Sequence, residues 1–559
     1  MKNNKIKSYL ISPSFLIAGA ILLLGLLVSF DKPSDRYFQI AKNMEVLSSV
    51  YAEVNKVYVD EVNPSDFMKK GIDAMLGSLD PYTNYIPEDD IEDFRFMSTG
   101  QYGGIGAIIG NRNGKTLVLM PYEGFPAQKA GLRVADEIIK IDGRSTEGLN
   151  TSEVSKLLKG QANTKIAVTI QRYGTEKPFD ITLEREKIKV NNVPYYGMIT
   201  SDVGYMDLKD FTSDASKEIK NALLKLKEKG ANKFILDLRG NPGGLLNEAI
   251  AISNIFIPKG KEIVSTKGKV EKWNSTHLGR DIAVDTESPL VILTNSRSAS
   301  ASEIVSGVIQ DYDRGVLIGK RTFGKGLVQA TLPVAHNAKV KVTTAKYYIP
   351  SGRCIQAIDY SNRNPDGSVG KVPDSLITEF KTKNGRKVFD GGGVNPDITT
   401  KQQEVSEILR GLVNQNMLFD YATEYYFKNK ENVSSPKEFI LTDSEYNEFV
   451  SWLTTKEFTY KNKVERRLEN LNELIEKDSL AYLNISSDLK AIEEKVKNSK
   501  KEELLFYKKE IKALLEEDIV SRKFYQKGML ESALQHDNDI KEALALFNDT
   551  KRYNSLLGN

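Results

Sequence analysis

The hydrophobic pattern changes character several times along the chain, and each change predicts a different kind of structure. Residues 8–30 are uncharged and residues 15–28 almost wholly apolar, with Lys2, Lys5 and Lys7 ahead of them. From 36 to 95 the pattern is helical: Met44, Leu47, Val50, Tyr51, Val54, Val57 and Tyr58 share one face, and a second helix follows Pro64. Between 100 and 187, GQYGGIGAIIG gives a glycine-rich turn and a strand, Thr151–Leu158 gives a short helix, and IAVTIQR and FDITLER alternate as strands.

From 188 to 400, strands and helices take turns. YYGMITSDVGYMDLKDF supplies strands, residues 215–229 a helix, and KFILDLRGNPGGLLNEAIAISNIFI a buried strand, a turn and a helix. Further on, a strand at 291–293 runs through a small-residue turn into a helix over about 301–312, with Ile304, Val308 and Ile309 at helical spacing, and a second strand follows at 316–318. Such alternation predicts an α/β layer with a mostly parallel sheet, whose sites lie beyond the carboxyl ends of the strands. NPGG and SRSAS both follow apolar strands directly, which puts both at one rim. Residues 360–387 are polar and turn-rich, the pattern of an exposed insertion. Residues 401–559 are charged and helical, with Val464, Leu468, Leu471 and Ile475 on one stripe. A solvated bundle accounts for this pattern. A helical extension can also pair subunits into a homo-oligomer, dock an adaptor or wrap the preceding domain, and amphipathic spacing does not separate these.

Composition adds bounds. The 559 residues suffice for several domains, and 78 basic against 75 acidic residues leave a net charge of +3, which points to no nucleic acid. The single cysteine, Cys354, excludes an internal disulfide. The apolar run near the amino terminus is long enough to span a bilayer or to act as a signal peptide. No small-x-small cleavage site follows Val28, so an uncleaved single-pass anchor over 1–32 is expected. The lysines ahead of it predict a cytoplasmic amino terminus with the remainder outside.

The chemistry concentrates around VILTNSRSASASEIVSGVIQDYDRGVLIGKRTFGKGLVQATLPV. A serine on a strand-to-helix turn faces helical N–H groups that lack intrahelical partners, a setting that stabilises an oxyanion. Its hydroxyl needs a base, and none of the three histidines (His277, His336, His536) has a setting that suggests a triad. Lysine can serve if desolvation leaves its amine neutral, and Lys325 is framed by Phe323, Gly324, Gly326 and Leu327. Simpler readings exist. Ser300 with Glu303 fits the capping pattern S-x-x-E, so Ser300 can merely cap a helix. Lys325 can be an ordinary surface lysine. Residues 319–325 approximate a phosphate loop, but Gly326 stands where Ser or Thr is required and a strand follows. HExxH is absent and histidines are few, so neither a metal nor another cofactor is expected. Asp237 and Arg239 read as a structural charge pair.

SASASEI, TFGKGLVQ and DLRGNPGG together resemble the carboxy-terminal processing, or tail-specific, proteases. The resemblance implies Ser300 as nucleophile, Lys325 as base and Gln329 to position it. The amides of Ala301 and of Gly243 or Gly244 would form the oxyanion hole. It also implies a helical segment at 33–99, a PDZ domain at 100–187, an α/β protease core at 188–400 and a helical domain at 401–559. KVTTAKYYIPSGRCIQ and GGGVNPDI match that family's closing strand and trailing motif. A PDZ domain binds peptide termini by strand addition, with Gly104, Ile105, Gly106 and Ala107 as carboxylate loop and Leu157 and Leu158 lining the pocket. The expectation is a serine endopeptidase of the bacterial inner membrane, its catalytic part in the periplasm, that takes unfolded or flexible proteins by their carboxyl termini. The reading from another class is a non-catalytic PDZ scaffold that binds tails without cutting them.

Overall fold

The computed structural model describes residues 33–364, 366–401, 405–477, 486–498 and 500–558. The anchor expected at 1–32 lies outside them, and among the described residues no helix is long and apolar enough to cross a membrane. The chain divides into one unit that ends at Tyr85 and a second that begins at Ile86.

The first unit carries helices α1 (Pro33–Val57) and α2 (Pro64–Gly77). Asn63 caps α2, its Oδ1 accepting from the amides of Ser65 at 3.0 Å and Asp66 at 3.2 Å. Pro64 takes the first helical position, where a missing N–H leaves nothing unsatisfied. The apolar stripe expected on α1 is present but exposed, at Met44, Val50 and Val57 alike.

The second unit opens with α3 (Ile91–Thr99), closed by Gly100 in the left-handed region at φ +66°. Strand β1 (Gln101–Gly104) leads into an antiparallel sheet of β2 (Ala107–Arg112), β3 (Lys115–Pro121), β4 (Glu137–Ile141), β5 (Lys165–Gln171) and β6 (Phe179–Glu184), in that spatial order. Strand β7 (Glu186–Lys189) returns to pair with β1. Helix α4 (Pro126–Lys129) and helix α5 (Thr151–Leu158) pack on this sheet, and α5 begins with the reciprocal cap between Asn150 and Glu153. Ile166, Val168 and Ile170 alternate into its core with Ile138, Val154 and Leu158. Strand β2 is an edge, with α5 beside it.

The central layer is a six-stranded sheet in the order β8 (Tyr195–Met198), β9 (Val203–Asp207), β10 (Lys233–Asp237), β13 (Leu290–Thr294), β14 (Val316–Gly319) and β17 (Ile398–Thr399). Only β8 runs antiparallel to its neighbour. Helices α6 (Ala215–Glu228), α7 (Leu246–Phe256) and α8 (Ala301–Asp311) cover one face, where Phe234, Leu236, Leu290, Ile292 and Leu317 point. The intervening residues Ile235, Val291, Leu293, Val316 and Ile318 point to the other face. A strand buried on both sides reads as a continuous apolar run, which is why these segments showed no alternation in the sequence. A second sheet stands beside this layer: the long hairpin β15 (Leu327–Pro333) and β16 (Lys339–Tyr348), then β11 (Glu262–Lys267) and β12 (Ser275–Leu278).

The carboxy-terminal helices make two different packings. Helices α9 (Glu407–Asn414), α10 (Met417–Asn429), α11 (Asp443–Leu453), α14 (Lys500–Phe506) and α15 (Lys508–Ala533) share a core of their own, and α12 (Lys463–Lys477) and α13 (Ser486–Asn498) form a neighbouring pair. Helices α16 (Asn538–Asn548) and α17 (Thr550–Leu556) lie on the central sheet, where Ile540, Ala543, Leu546 and Phe547 cover its second face. Of the roles left open for this region, wrapping the core is the one seen. Helix α15 departs from helical geometry at Tyr525 (φ +52°), where Tyr525 and Met529 pack near Met120 and Val134 of the small antiparallel domain.

The stretch expected as an exposed insertion at 360–387 forms short hairpins, and its end is anchored. Arg386 donates to Asp313 and to Asp397, each at 2.6 Å, so that end is tied to the core. Asp311, at the end of α8, pairs with buried Arg353 at 2.8 Å.

Candidate active site

Three turns converge at the carboxyl-terminal rim of the central sheet. The turn after β10 (240–244) docks on the turn after β13 (295–300). The Asn241 carbonyl accepts from the Ala299 amide and the Ser302 hydroxyl, each at 3.0 Å, and Ser298 Oγ donates to the Leu238 carbonyl at 2.8 Å. Flanking serines thus tie the turns together. The third turn, 320–326, joins them through the Phe323 amide, which donates to the Ser298 carbonyl at 3.0 Å.

Ser300 starts α8 with φ +53° and ψ −110°, a conformation that costs a non-glycine residue of order 1–3 kcal/mol and persists only when its surroundings enforce it. Glu303 is the main enforcer. Its side chain is fully buried and accepts from the Ser300 amide at 2.8 Å, the Lys325 amide at 2.8 Å, the Gly324 amide at 2.7 Å and Thr322 Oγ1 at 2.5 Å. Burial pushes its pKa up to about 7 even though these hydrogen bonds pull the other way. Tyr347, also buried, donates its hydroxyl to the Ser300 carbonyl at 3.1 Å.

The convergence leaves a cavity of about 530 Å³ lined by Ser300, Ala301, Gly243, Gly244, Lys325 and Gln329 together. Gly243 and Gly244 differ in what their amides do. The Gly243 amide donates to Asn241 Oδ1 at 2.8 Å, so of the two glycines named from sequence it is not the one with an amide to offer. Among the described residues the Gly244 and Ala301 amides make no hydrogen bond. Gly243 is required for close approach. At φ +100°, a Cβ there would meet the Ala299 carbonyl at 2.7 Å and the Ala301 nitrogen at 2.8 Å.

Gln329 reaches the cavity from β15. An extended 325–329 would put those odd-numbered side chains on one face, and Lys325, Leu327, Gln329 and Thr331 all line the cavity, although β15 begins only at Leu327 and its register against β16 shifts between Val328 and Gln329. Gln329 stands at the cavity wall, where its Nε2 donates to Thr343 Oγ1 at 3.1 Å. Several further lining residues escaped the sequence reading: Phe94, Phe96 and Met97 from α3, and the charged Asp210 and Lys341. Burial raises the Asp210 pKa and lowers that of Lys341. Glu303 had a signal in the capping pattern, although only its helix role was legible.

In the small antiparallel domain, the amides of Ile105 and Gly106 have no hydrogen-bond partner among the described residues, while their carbonyls accept from Ala127 at 2.8 Å and Tyr122 at 2.9 Å. The Ile105 side chain is buried in the domain core. Gly104 pairs with Glu186 and Ala107 opens edge strand β2. Leu158 is buried in the same core and Leu157 packs at its margin.

A serine held in a strained turn shares one cavity with a lysine and with amides that make no hydrogen bond among the described residues, and similarity to known proteins says which class of protein this is. Residues 202–366 match Peptidase family S41, residues 118–172 match the PDZ domain family, and residues 408–547 match the family described as "Probable PDZ-protease, C-terminal helical domain". The chain is 36% identical over 353 residues to the carboxy-terminal-processing protease of Bartonella bacilliformis, covering 62% of this chain and 80% of that protein. It is 35% identical over 389 residues to the "Probable CtpA-like serine protease" of Staphylococcus aureus strain MRSA252, covering 69% and 76%. Among solved structures it resembles a photosystem II D1 C-terminal processing protease, at 24% identity over 64% of this chain and 92% of that one, with a TM-score of 0.35. The chain belongs to the carboxy-terminal-processing protease family and is a serine-type peptidase with a PDZ domain.

Proposed function

We propose that the protein is a membrane-anchored endopeptidase of the bacterial cell envelope, its catalytic part in the periplasm, working through a Ser300/Lys325 dyad. The observation that carries this reading is the shared cavity of Ser300, Lys325, Gln329, Ala301 and Gly244. Neutral Lys325 takes the Ser300 proton as Oγ attacks the peptide carbonyl. The amides of Ala301 and Gly244 hold the oxyanion. Protonated Lys325 then gives its proton to the leaving amine, and water, deprotonated by the Lys325 amine now neutral again, hydrolyses the acyl-enzyme. Gln329, held by Thr343, orients the lysine. The amides of Ile105 and Gly106 receive a substrate's terminal carboxylate while its chain adds to edge strand β2, beside α5 with Leu157. Anchoring rests on the uncharged, largely apolar run at 8–30 with lysines before it.

The test uses the full chain in detergent with an unfolded protein, beside Ser300→Ala and Lys325→Ala forms. Cutting by the parent alone is expected. A Lys325→Ala form as fast as the parent removes the lysine from the mechanism, and tails bound without any cutting favour the scaffold reading.

A further inference from the structure

Arg239 lies two residues past β10, just ahead of the 240–244 turn, and its guanidinium meets three carboxylates. Nε and Nη2 donate to Asp237 at 3.0 and 2.6 Å. Nη1 and Nη2 donate to Asp537 at 3.1 and 2.6 Å, and Nη1 also reaches Asp539 at 2.9 Å. The last two come from the amino-terminal end of α16, some 300 residues away. Asp537 works in two directions, because its Oδ1 also caps α16 by accepting from the amides of Asp539 at 2.8 Å and Ile540 at 3.2 Å.

Beyond Arg239 every link toward the cavity is held. The Gly240 amide donates to Asn295 Oδ1 at 3.0 Å, the Asn241 carbonyl is fixed by Ala299 and Ser302, and the Asn241 side chain spans from the Leu208 carbonyl at 2.8 Å to the Gly243 amide at 2.8 Å. The run ends at Gly244, which lines the cavity and whose amide makes no hydrogen bond among the described residues. A planar guanidinium with five donors is suited to hold two carboxylates on separate edges, which a lysine cannot do.

We infer that Asp537 and Asp539 are positioning residues: by clamping Arg239 they fix the end of β10, and through the 240–244 turn they set the Gly244 amide against Ser300. The carboxy-terminal helical segment thereby becomes part of the catalytic apparatus. The inference rests on the oxyanion role proposed above for Gly244. Misplacing a reacting group by about 1 Å is enough to cost about a hundredfold in rate, so a partial shift of the turn is worth about tenfold.

The test is Asp537→Asn/Asp539→Asn in the full chain. Asparagine caps a helix about as well as aspartate, so α16 keeps its start while two of the three carboxylate charges on Arg239 are removed and that of Asp237 stays. Expected are a kcat about tenfold lower, a KM within about twofold of the parent, and an inhibition constant about tenfold higher for a peptide boronate whose adduct with Ser300 carries an oxygen toward Gly244. Arg239→Lys should behave alike, and Asp539→Asn alone, which keeps Asp537, should lose less. The inference is overturned if kcat and boronate affinity equal the parent's. It is overturned equally if both fall only in proportion to protein unfolded by circular dichroism, the outcome for a merely structural latch. A parent that neither binds the boronate nor cuts faster than Ser300→Ala signals a different failure, that of the dyad itself, and the positioning role falls with it.

Discussion

Ser300 and Lys325 donate their backbone amides to one atom, Oε2 of Glu303, each at 2.8 Å. The two residues proposed as nucleophile and base are thus referenced to a common point, and their separation cannot change without breaking a buried, charge-assisted hydrogen bond.

Replacing that carboxylate with an amide should therefore separate position from presence. In Glu303→Gln an NH₂ group must face at least one of the four donors now satisfied. We expect kcat to fall about a hundredfold with KM changed by less than about threefold, and stability to fall by about 2 kcal/mol, the cost of one buried donor left unpaired. Steady-state kinetics and urea denaturation measure both. A variant with full kcat would mean the shared carboxylate is only a helix cap.

Much of this arrangement was legible in sequence, for identifiable reasons. Strands such as 291–293 and the helix after Ser300 announced themselves because both faces are buried and the turn between them is made of small residues. Thr151–Leu158 was bounded correctly because the cap is local, Asn150 with Glu153. What stayed hidden depended on partners far along the chain. Nothing near Asp537 says that it grips Arg239, and nothing near Phe547 distinguishes a helix that covers a sheet from one in a solvated bundle. The bulge at Val328/Gln329 was equally invisible, since it is set by the extra residue in the facing strand.

Gly243 provides a second test, by shape. An alanine there would press on the backbone of the Ser300 turn from inside the cleft, at a φ of +100° that alanine tolerates poorly. Gly243→Ala should lose at least about a hundredfold in kcat/KM while far-UV circular dichroism stays native. Activity near the parent's would show that the two turns are free to separate.

Glu517 makes a prediction about pH. Burial, followed by the charges of Asp518, Glu516 and Asp537, raises its pKa from 4.5 to about 7. A carboxyl whose folded pKa is raised gives stability that is fully present below the unfolded value and is lost as pH rises through the folded one. Its contribution should therefore disappear between pH 4.5 and about 7, by about 3 kcal/mol. Glu517→Gln should be more stable than the parent at pH 8 and no more stable at pH 4.5, read from urea midpoints. An equal shift at both pH values would trace the effect to packing instead of ionisation.

The last prediction concerns what the carboxy-terminal helices are for. Ile235, Val291, Leu293, Val316 and Ile318 are fully buried, and the residues covering them on that face include Ile540, Ala543, Leu546 and Phe547. Tyr553 adds a polar clasp, its hydroxyl accepting from the Leu290 amide at 2.8 Å and donating to the Leu290 carbonyl at 3.1 Å. Exposing large apolar side chains costs about 1.5–3 kcal/mol each, so uncovering this face approaches the whole stability of an ordinary domain. A chain ending at residue 537 should accumulate as insoluble protein, whereas Phe547→Ala in the full chain should remain soluble but lose about 3–5 kcal/mol. An accessory helical domain would behave otherwise: its removal would leave a soluble, cooperatively unfolding protein. Comparing the soluble fraction of the truncated chain with the urea midpoint of Phe547→Ala decides between the two, because only helices that complete the core make both fall together.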